Sequence, residues 1–249
     1  MKKGVLLYCF DTAKHRYHKI LERVVPLIRK NLKLEITVVT DFNTYRLMKP
    51  LGFINYKIIE PELGNTKNGD DWRNVDRHMS YELSPYDVTL VMDIDYFPFT
   101  DNLAQFLDTK YDFLVSKDAY DLTGKKSFDH RRFSMIDMVW ATVLIFRKGP
   151  KAKRVFDMVK YVKQYYHHFN ELYRIRAKNF RNDYAFAIAL QQANGFMDYD
   201  TLPFALATLP PSCKVLGIDP AQIIWQDGQQ IDYTFEQDVH VLNKEVANV

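Results

Sequence analysis

The sequence predicts an α/β fold built on a mostly parallel β-sheet with helices on both faces. Short apolar runs of strand length alternate along the chain with segments in which apolar residues recur at helical spacing. One of the short runs, Val88–Met92, is apolar on both faces, which is typical of a strand covered from both sides. With 249 residues, 47% of them hydrophobic, the chain is long enough to bury a sizeable core in a single domain.

The first part of the chain predicts four strands joined by three helices. The strands are expected at residues 4–10, Glu35–Thr40, residues 56–60 and Val88–Met92. The helices are expected at residues 15–32, 43–51 and 72–83, where the apolar residues follow a helical period. Asn43 is the expected N-cap of the second helix. In a parallel sheet ligands bind beyond the carboxyl ends of the strands, so residues that follow each strand are the first candidates for a site.

The second part of the chain predicts two more strands and two helices ahead of a short, irregular C-terminal segment. The strands are expected at Phe113–Ser116 and 139–146, with a polar, basic loop at 120–132 between them. The helices are expected at 151–169 and 183–194. Beyond residue 195, turn signals such as Pro210-Pro211 and Asp227-Gly228 interrupt short strands.

The N-terminal residues and the cysteines indicate where the protein works. The first ten residues begin like a signal peptide, but charged residues follow from Asp11 without a small-residue cleavage site, so we interpret them as the first strand. No apolar stretch approaches the roughly 20 residues that cross a bilayer, and we expect no membrane partner. Cys9 and Cys213 are expected to be buried free thiols in a reducing compartment, with one disulfide as the alternative. These features predict a cytoplasmic protein.

Two carboxylates directly after the most apolar strand are the strongest chemical signal. Asp93 and Asp95 are separated by one residue, so in an extended chain their side chains point to the same side. Two carboxylates this close repel each other, and a hard divalent cation removes that conflict because it prefers oxygen ligands. Such a cation can also bridge to a diphosphate. A pair of solvated acids at a strand end is the alternative interpretation.

The segment Ser84-Pro-Tyr-Asp-Val-Thr-Leu-Val-Met-Asp-Ile-Asp95 resembles the signature of GT-A glycosyltransferases. The resemblance follows the order of elements over roughly residues 4–195 and is specific around residues 72–97. It implies the GT-A, Rossmann-like fold over residues 1–249, with a nucleotide-binding half at 1–116 and an acceptor-binding half at 117–249. It also implies transfer of a sugar from a nucleotide-sugar, with UDP-sugar as the expected donor, to an acceptor hydroxyl with the help of Mn²⁺ or Mg²⁺.

The resemblance also implies roles for residues outside the Asp-x-Asp pair. Asp95 would ligate the metal and Asp93 would lie near metal and ribose, while a late histidine, His240, would complete the metal site. Asp183, at the start of a helix, would be the general base of an inverting enzyme, with helix capping as the structural alternative. The remaining donor-site candidates are Phe10, Asp11 and Thr12 near the base, Arg77 (with Arg73 as second choice) and Lys244 near the diphosphate. Trp140 would pack on substrate or in the core.

The charge distribution raises the question of the acceptor. Residues 147–181 contain eleven Lys or Arg and two acidic residues, a net charge of +9, whereas residues 182–249 carry −7. Such a basic stretch, with aromatic residues among its cations, fits a nucleic-acid partner as well as a solvated helix face. Lys151, Lys153 and Arg154 are the acceptor-binding candidates on this stretch. Some phage enzymes of the GT-A class modify hydroxymethylated cytosine in DNA, so the acceptor is expected to be a glycan, a small molecule or DNA, in the last case in the host cytoplasm.

Other function classes lack their sequence signals. There is no Gly-x-Gly-x-x-Gly or Gly-x-x-x-x-Gly-Lys-Ser/Thr cradle, and no Gly-x-Ser-x-Gly elbow. A sugar-phosphate nucleotidyltransferase usually carries a glycine-rich basic loop after its first strand, where this chain has Asp11-Thr-Ala-Lys-His-Arg. An inactive binding module of the same fold stays open as a non-enzymatic alternative.

Overall fold

The computed structural model describes residues 1–52, 54–62, 64–67, 70–71, 73, 75–125 and 134–248. Parts of the predicted helix at 72–83 and of the predicted loop at 120–132 lie outside these residues. Every strand predicted in the first 150 residues is present, and its ends differ from the prediction by at most two residues. The described strands are β1 Lys3–Tyr8, β2 Glu35–Thr40, β3 Asn55–Ile58, β4 Thr66–Lys67, β5 Asp70–Asp71, β6 Val88–Met92, β7 Tyr96–Phe97, β8 Phe113–Ser116, β9 Ala119–Asp121, β10 Trp140–Arg147, β11 Leu206–Leu209, β12 Lys214–Ile218, β13 Gln222–Asp227, β14 Gln230–Phe235 and β15 Val239–Val241.

The helices depart from the predicted ends where local capping or a break intervenes. The described helices are α1 Tyr17–Leu27, α2 Phe42–Leu47, α3 Ser80–Leu83, α4 Asn102–Gln105, α5 Pro150–Gln164, α6 Tyr166–Leu172 and α7 Asn182–Ala193, with a π-helical turn at Ile28–Leu32 and 3₁₀ turns at Val75–Met79, Phe106–Asp108 and Lys244–Asn248. The expected cap Asn43 is wrong: Asp41 caps α2, because its carboxylate accepts the Thr44 N–H at 2.7 Å. The predicted helix 151–169 is broken at Tyr165, between α5 and α6.

The central sheet has six strands in the spatial order β3-β2-β1-β6-β10-β8. The first four strands of this order are parallel, and β10 is antiparallel to both of its neighbours. The chain moves outward from β1 through β2 to β3 and then returns to place β6 on the other side of β1. The strand order therefore reverses between β1 and β6, and a parallel sheet binds its ligands at such a reversal.

Helices cover both faces of this sheet, as the apolar pattern predicts. Alternate residues of β1 enter two separate clusters: Val5 and Leu7 pack on the side of α1, whereas Leu6 and Tyr8 pack on the side of α5 and α7. No helix within the described residues is long and apolar enough to span a membrane. Cys9 and Cys213 are both buried and free, which agrees with the first of the two expectations for them.

The C-terminal segment is more ordered than the sequence predicts. A three-stranded antiparallel sheet has the order β12-β13-β14, and a four-stranded sheet has the order β7-β15-β11-β9. In the second of these, β15 pairs antiparallel with β7, so that His240 lies opposite Tyr96. Because β7 follows Asp95 directly, this pairing carries the end of the chain back to the carboxyl end of β6.

A glycine in β1 tests how tightly this framework is packed. The side chain of an alanine at Gly4 would overlap the ring of Tyr86, which is 1% exposed and is held by a 2.8 Å hydrogen bond between its hydroxyl and Thr37 Oγ1. We expect Gly4→Ala to lower the free energy of unfolding by about 1–3 kcal/mol, as overpacking does in closed cores. Gly217→Ala is the matched control, because its new methyl group would meet only Ile224 Cδ1 at 3.8 Å. Urea denaturation measures the free energy of unfolding of both variants. An equal loss in Gly4→Ala and Gly217→Ala would contradict the packing argument.

Candidate active site

A cleft of about 510 Å³ opens at the carboxyl ends of β1 and β6, where the strand order reverses. It brings together residues from seven separate parts of the chain. Eight of the residues predicted for the site line it: Phe10, Arg77, Asp93, Asp95, Trp140, Asp183, His240 and Lys244. Asp11, Thr12, Lys151, Lys153 and Arg154 are predicted site residues that do not line it.

Asp93, Asp95 and His240 form the polar centre of the cleft. Their ligand atoms all lie within 4.8 Å of one another. His240 Nε2 is 3.5 Å from Asp95 Oδ1 and 4.0 Å from Asp93 Oδ2. The backbone fixes this arrangement, since the Val241 N–H donates to the Asp95 carbonyl at 2.8 Å and the Asp93 N–H donates to the Thr142 carbonyl at 2.9 Å. Backbone hydrogen bonds to β10 and β15 thus hold the three side chains in one small volume.

Each of the two carboxylates uses its second oxygen to bind a basic side chain. Arg77 donates to Asp93 Oδ1, and Lys244 donates to Asp95 Oδ2. Each carboxylate is therefore paired with one cation of the protein. The oxygens that remain, Asp93 Oδ2 and Asp95 Oδ1, are the ones that face His240.

This donor set fits a divalent cation of the Mn²⁺ or Mg²⁺ kind. Two carboxylate oxygens and one imidazole nitrogen are suitable ligands for such ions. Because the ligand atoms lie within 4.8 Å of one another, these three side chains would hold a single ion of this kind.

Arg77 borders the cleft, but its side chain is buried rather than exposed. Its side chain is 1% exposed, and besides Asp93 its guanidinium binds the carbonyl of Ala141 in β10. A buried guanidinium is costly unless it is paired, and Asp93 supplies that pair. The arginine thus links the carboxyl end of β6 to the start of β10. The second choice, Arg73, also lines the cleft and contacts Asp41 at 3.4 Å and Asp71 at 3.1 Å.

Asp183 sits at the start of α7 and lines the cleft. Its carboxylate does not cap the helix, where Arg181 is the N-cap residue; instead it accepts the Ala141 N–H at 3.1 Å. Arg181 donates to the second carboxylate oxygen of Asp183, Oδ2, from Nη2 at 2.8 Å and from Nε at 3.2 Å. Burial pushes the pKa of the Asp183 carboxyl up, but Arg181, the Ala141 N–H and Arg77 outweigh it and hold the pKa below its ordinary value. Asp183 is therefore a carboxylate at neutral pH.

Of the three site residues predicted after β1, one lines the cleft and two hold the turn between β1 and α1 by hydrogen bonds. Phe10 lines the cleft together with Tyr8 and Tyr17. The carboxylate of Asp11 instead binds the ring of His18 at 2.6 Å and accepts the His18 N–H at 2.9 Å, which fixes the start of α1. Thr12 accepts the His15 N–H at 3.0 Å and donates to Asp70 at 2.5 Å.

Sequence reasoning missed several cleft residues because their signals are weak in isolation. Tyr17 is the first residue of α1, and burial followed by the charge of Asp70 raises the pKa of its hydroxyl. Arg181 lies two residues before Asp183, and that spacing on a helix start could have suggested the pair. Lys14, His15 and Asn243 also line the cleft.

Trp140, which was expected to pack on substrate or in the core, is one of the residues at the cleft. It is half-buried at the first residue of β10, and its ring meets the His240 ring edge-on with centroids 6.3 Å apart. It lines the same cleft as the acidic centre.

The predicted acceptor cations lie at the other end of the sheet. Arg147, the last residue of β10, pairs with Val88, the first residue of β6, so the start of α5 lies about 17 Å along the strand from Asp93. There Lys151 is 3.7 Å from Asp200 and Lys153 is 2.7 Å from Asp157. The structure therefore does not bring Lys151, Lys153 and Arg154 together with the cleft.

Comparison with known proteins places the fold. No protein-family model matches the chain, and no curated protein sequence matches it significantly. Among solved structures, an active-site mutant of LgtC aligns with 74% of this chain and 69% of its own at 16% identity, with a TM-score of 0.51. The galactosyltransferase LgtC in complex with donor and acceptor sugar analogues aligns with 69% of this chain and 70% of its own at 16% identity and a TM-score of 0.49. GlyE from Streptococcus pneumoniae TIGR4 covers 82% of this chain and 45% of its own at 14% identity and a TM-score of 0.45. The predicted GT-A fold is thereby confirmed.

The ion pair between Asp183 and Arg181 makes a prediction for stability against pH. A carboxyl whose pKa is lowered in the folded protein stabilises it above the unfolded pKa of about 3.9, and this stabilisation is lost as the pH falls through the folded pKa. We expect Asp183→Asn to cost about 1.5–3 kcal/mol of unfolding free energy at pH 7, and the difference from wild type to shrink below pH about 4. Urea denaturation from pH 7 to pH 3 measures it.

Asp157→Asn is the control for this measurement, because its pair with Lys153 is exposed to solvent and contributes little to stability. A stability loss in Asp183→Asn that stays constant across the same pH range would show that the charge of Asp183 is not what stabilises the start of α7.

Proposed function

We propose that this protein is a metal-dependent glycosyltransferase that moves a sugar from a nucleotide-diphosphate-sugar to an acceptor hydroxyl. One observation carries the proposal: Asp93, Asp95 and His240 converge in the cleft at the strand reversal of a GT-A fold. Their chemistry suits a divalent cation, and such a cation, when bound, would offset the negative charge that develops on a leaving diphosphate. The expected ion is Mn²⁺ or Mg²⁺.

Two groups of cleft residues suit the two parts of the donor, its base and its phosphates. Phe10, with Tyr8 and Tyr17, offers an aromatic wall at the carboxyl end of β1 that suits a nucleotide base, with uracil as the expected one. Lys244 lies at the acidic centre, where its ammonium group can turn from Asp95 to a donor phosphate. Asp11 and Thr12 support this wall indirectly, since their side chains hold the turn between β1 and α1.

Asp183 is the candidate for activating the acceptor. In the proposed step the acceptor hydroxyl oxygen attacks the anomeric carbon of the donor, the bond from that carbon to the diphosphate oxygen breaks, and the hydroxyl proton passes to Asp183. Arg181 and the Ala141 N–H hold the carboxylate in place for this transfer. The same contacts lower its pKa, which makes it a weaker base.

The acceptor is proposed to be a saccharide hydroxyl. Hydroxymethylated cytosine in DNA is less well supported, because Lys151 and Lys153 are paired with acids and lie at the end of the sheet away from the cleft. Nucleotidyl transfer is also less well supported. The turn after β1 is occupied by internal hydrogen bonds of Asp11 and Thr12 instead of a glycine-rich phosphate loop.

Removal of one metal ligand tests the centre of the proposal. We expect Asp95→Ala to weaken Mn²⁺-dependent UDP binding by more than about 100-fold, since even residues that only support metal ligands contribute about 10–100-fold. Isothermal titration calorimetry of UDP with and without Mn²⁺ measures the change. Asp157→Ala removes an exposed carboxylate of α5 and should bind UDP as wild type does. Unchanged UDP affinity in Asp95→Ala would reject the metal site.

Turnover of Asp183→Asn tests the acceptor side separately. Asparagine keeps the size of the side chain but cannot take up a proton, and a general base contributes about 10²–10⁴-fold to the rate. Because the pKa of Asp183 is lowered, we expect a loss near the lower end of that range, with UDP affinity retained. Single-turnover rates with a saccharide acceptor measure it. Turnover close to wild type would leave Asp183 with only its role at the start of α7.

A further inference from the structure

Asp238 is a carboxylate that the proposed transfer does not use. It is half-buried and directly precedes β15, the strand that carries His240. It does not line the cleft, so any effect that it has on a bound ion has to pass through another residue.

The carboxylate of Asp238 binds both ends of the segment that follows Asp95. Its Oδ1 accepts the Thr100 N–H at 2.7 Å and the Thr100 hydroxyl at 3.0 Å. Its Oδ2 accepts the Tyr96 hydroxyl at 3.5 Å. Tyr96 comes directly after Asp95 and is 1% exposed. One side chain thus ties the start of β15 to residues 96–100.

The backbone ladder between β15 and β7 is short. Within the described residues the two strands pair at two positions, Val239 with Phe97 and His240 with Tyr96. Pro98 follows β7, and a proline has no N–H with which the ladder could continue. The side chain of Asp238 extends the contact past this point, because it binds the Thr100 N–H beyond the proline.

The register of β15 determines where His240 lies. The present register places His240 opposite Tyr96, and His240 Nε2 is 3.5 Å from Asp95 Oδ1. A shift of β15 by one residue would turn the His240 side chain to the other face of the strand. Such a shift would also break the hydrogen bonds of Asp238 to Thr100, so these bonds oppose it.

We propose that Asp238 is a positioning residue of the metal site: it holds β15 in register with residues 96–100 and so keeps His240 in place for a divalent cation. Residues that support a metal ligand in this way contribute about 10–100-fold to metal affinity. The effect runs through His240 and needs no contact between Asp238 and the ion. This inference rests on the proposed function, since it takes Asp93, Asp95 and His240 as the metal ligands.

The gain in UDP affinity on addition of Mn²⁺ tests the role of Asp238. Calorimetry of the full chain gives this gain as the ratio of the UDP dissociation constants without and with Mn²⁺. We expect Asp238→Ala to lose about tenfold or more of the gain, with its metal-free UDP affinity unchanged. Asp238→Asn should keep most of the gain, because its amide oxygen can accept both hydrogen bonds from Thr100. A full gain in Asp238→Ala, or an equal loss in the two variants, would overturn the inference.

A double-mutant cycle with His240→Ala shows whether the effect runs through the histidine. His240→Ala removes one ligand and should itself lower the gain. Asp238→Ala added to it should then cause little further loss, because no histidine is left to position. An equal loss from Asp238→Ala in both backgrounds would also overturn the inference, since a general distortion of the site would act without His240.

Asp219→Ala is the matched control. Asp219 also holds a turn with its carboxylate, which accepts the Ala221 N–H at 2.9 Å and the Gln222 N–H at 3.1 Å, but it does not line the cleft. Its variant should show the gain of wild type.

Thr100→Val decides the question if Asp238→Ala does not fold. This variant removes the 3.0 Å bond from the Thr100 hydroxyl and keeps the 2.7 Å bond from the backbone. It should lose a smaller part of the gain, and only where His240 is present. A gain equal to that of wild type would then count against the positioning role.

The wild-type titration separates this inference from the function on which it rests. A normal gain in wild type together with a full gain in Asp238→Ala rejects only the positioning role. Wild type that binds UDP no more tightly with Mn²⁺ than without it rejects the metal-dependent function, and this inference with it.

Discussion

The two carboxylates at the end of β6 are the constraint on which the site depends. Asp93 and Asp95 face the same small volume, and their charges need compensation. The fold places two basic side chains against them, Arg77 from the 3₁₀ turn before α3 and Lys244 from the C-terminal 3₁₀ turn, and brings His240 of β15 within 3.5 Å of Asp95. Each of these contacts joins a different part of the chain to one sheet edge, so the acidic pair also organises the surrounding backbone.

A third carboxylate of the cleft, Asp183, is also paired with a basic side chain. Arg181 neutralises Asp183, and the Ala141 N–H holds the carboxylate against β10. Ala141 also accepts from Arg77 through its carbonyl, so one residue of β10 connects both halves of the site. Asp93, through Arg77, and Asp183 are therefore both connected to the backbone at the start of β10. Side chains held in place in this way suit the proposed transfer, in which donor and acceptor have to be held in a fixed geometry.

The sequence predicted the central sheet well and the edges of the site less well. Strands such as Val88–Met92 and Glu35–Thr40 have the predicted ends, because an apolar run between turn residues is a local signal. The expected cap Asn43 failed because Asp41 and Asn43 are both good caps, and only the path of the chain out of β2 selects one. Arg77 was expected near the donor phosphates, and the structure buries its side chain against Asp93. The sequence does not show this burial, because it depends on residues from other parts of the chain that cover the side chain.

The sequence by itself determined the fold class, the Asp-x-Asp pair and its place at a strand end, since strand periodicity and residue type are local properties. It also pointed to His240 and Lys244, but through a resemblance rather than through spacing. Only the tertiary structure decided that β15 pairs with β7 and brings His240 within 3.5 Å of Asp95, a contact across 145 residues of chain. It alone placed Lys151 and Lys153, each paired with an acid, at the end of the sheet away from the cleft and placed Arg181 beside Asp183. The physical reason is that charge compensation acts through space, whereas the sequence pattern records only neighbours along the chain.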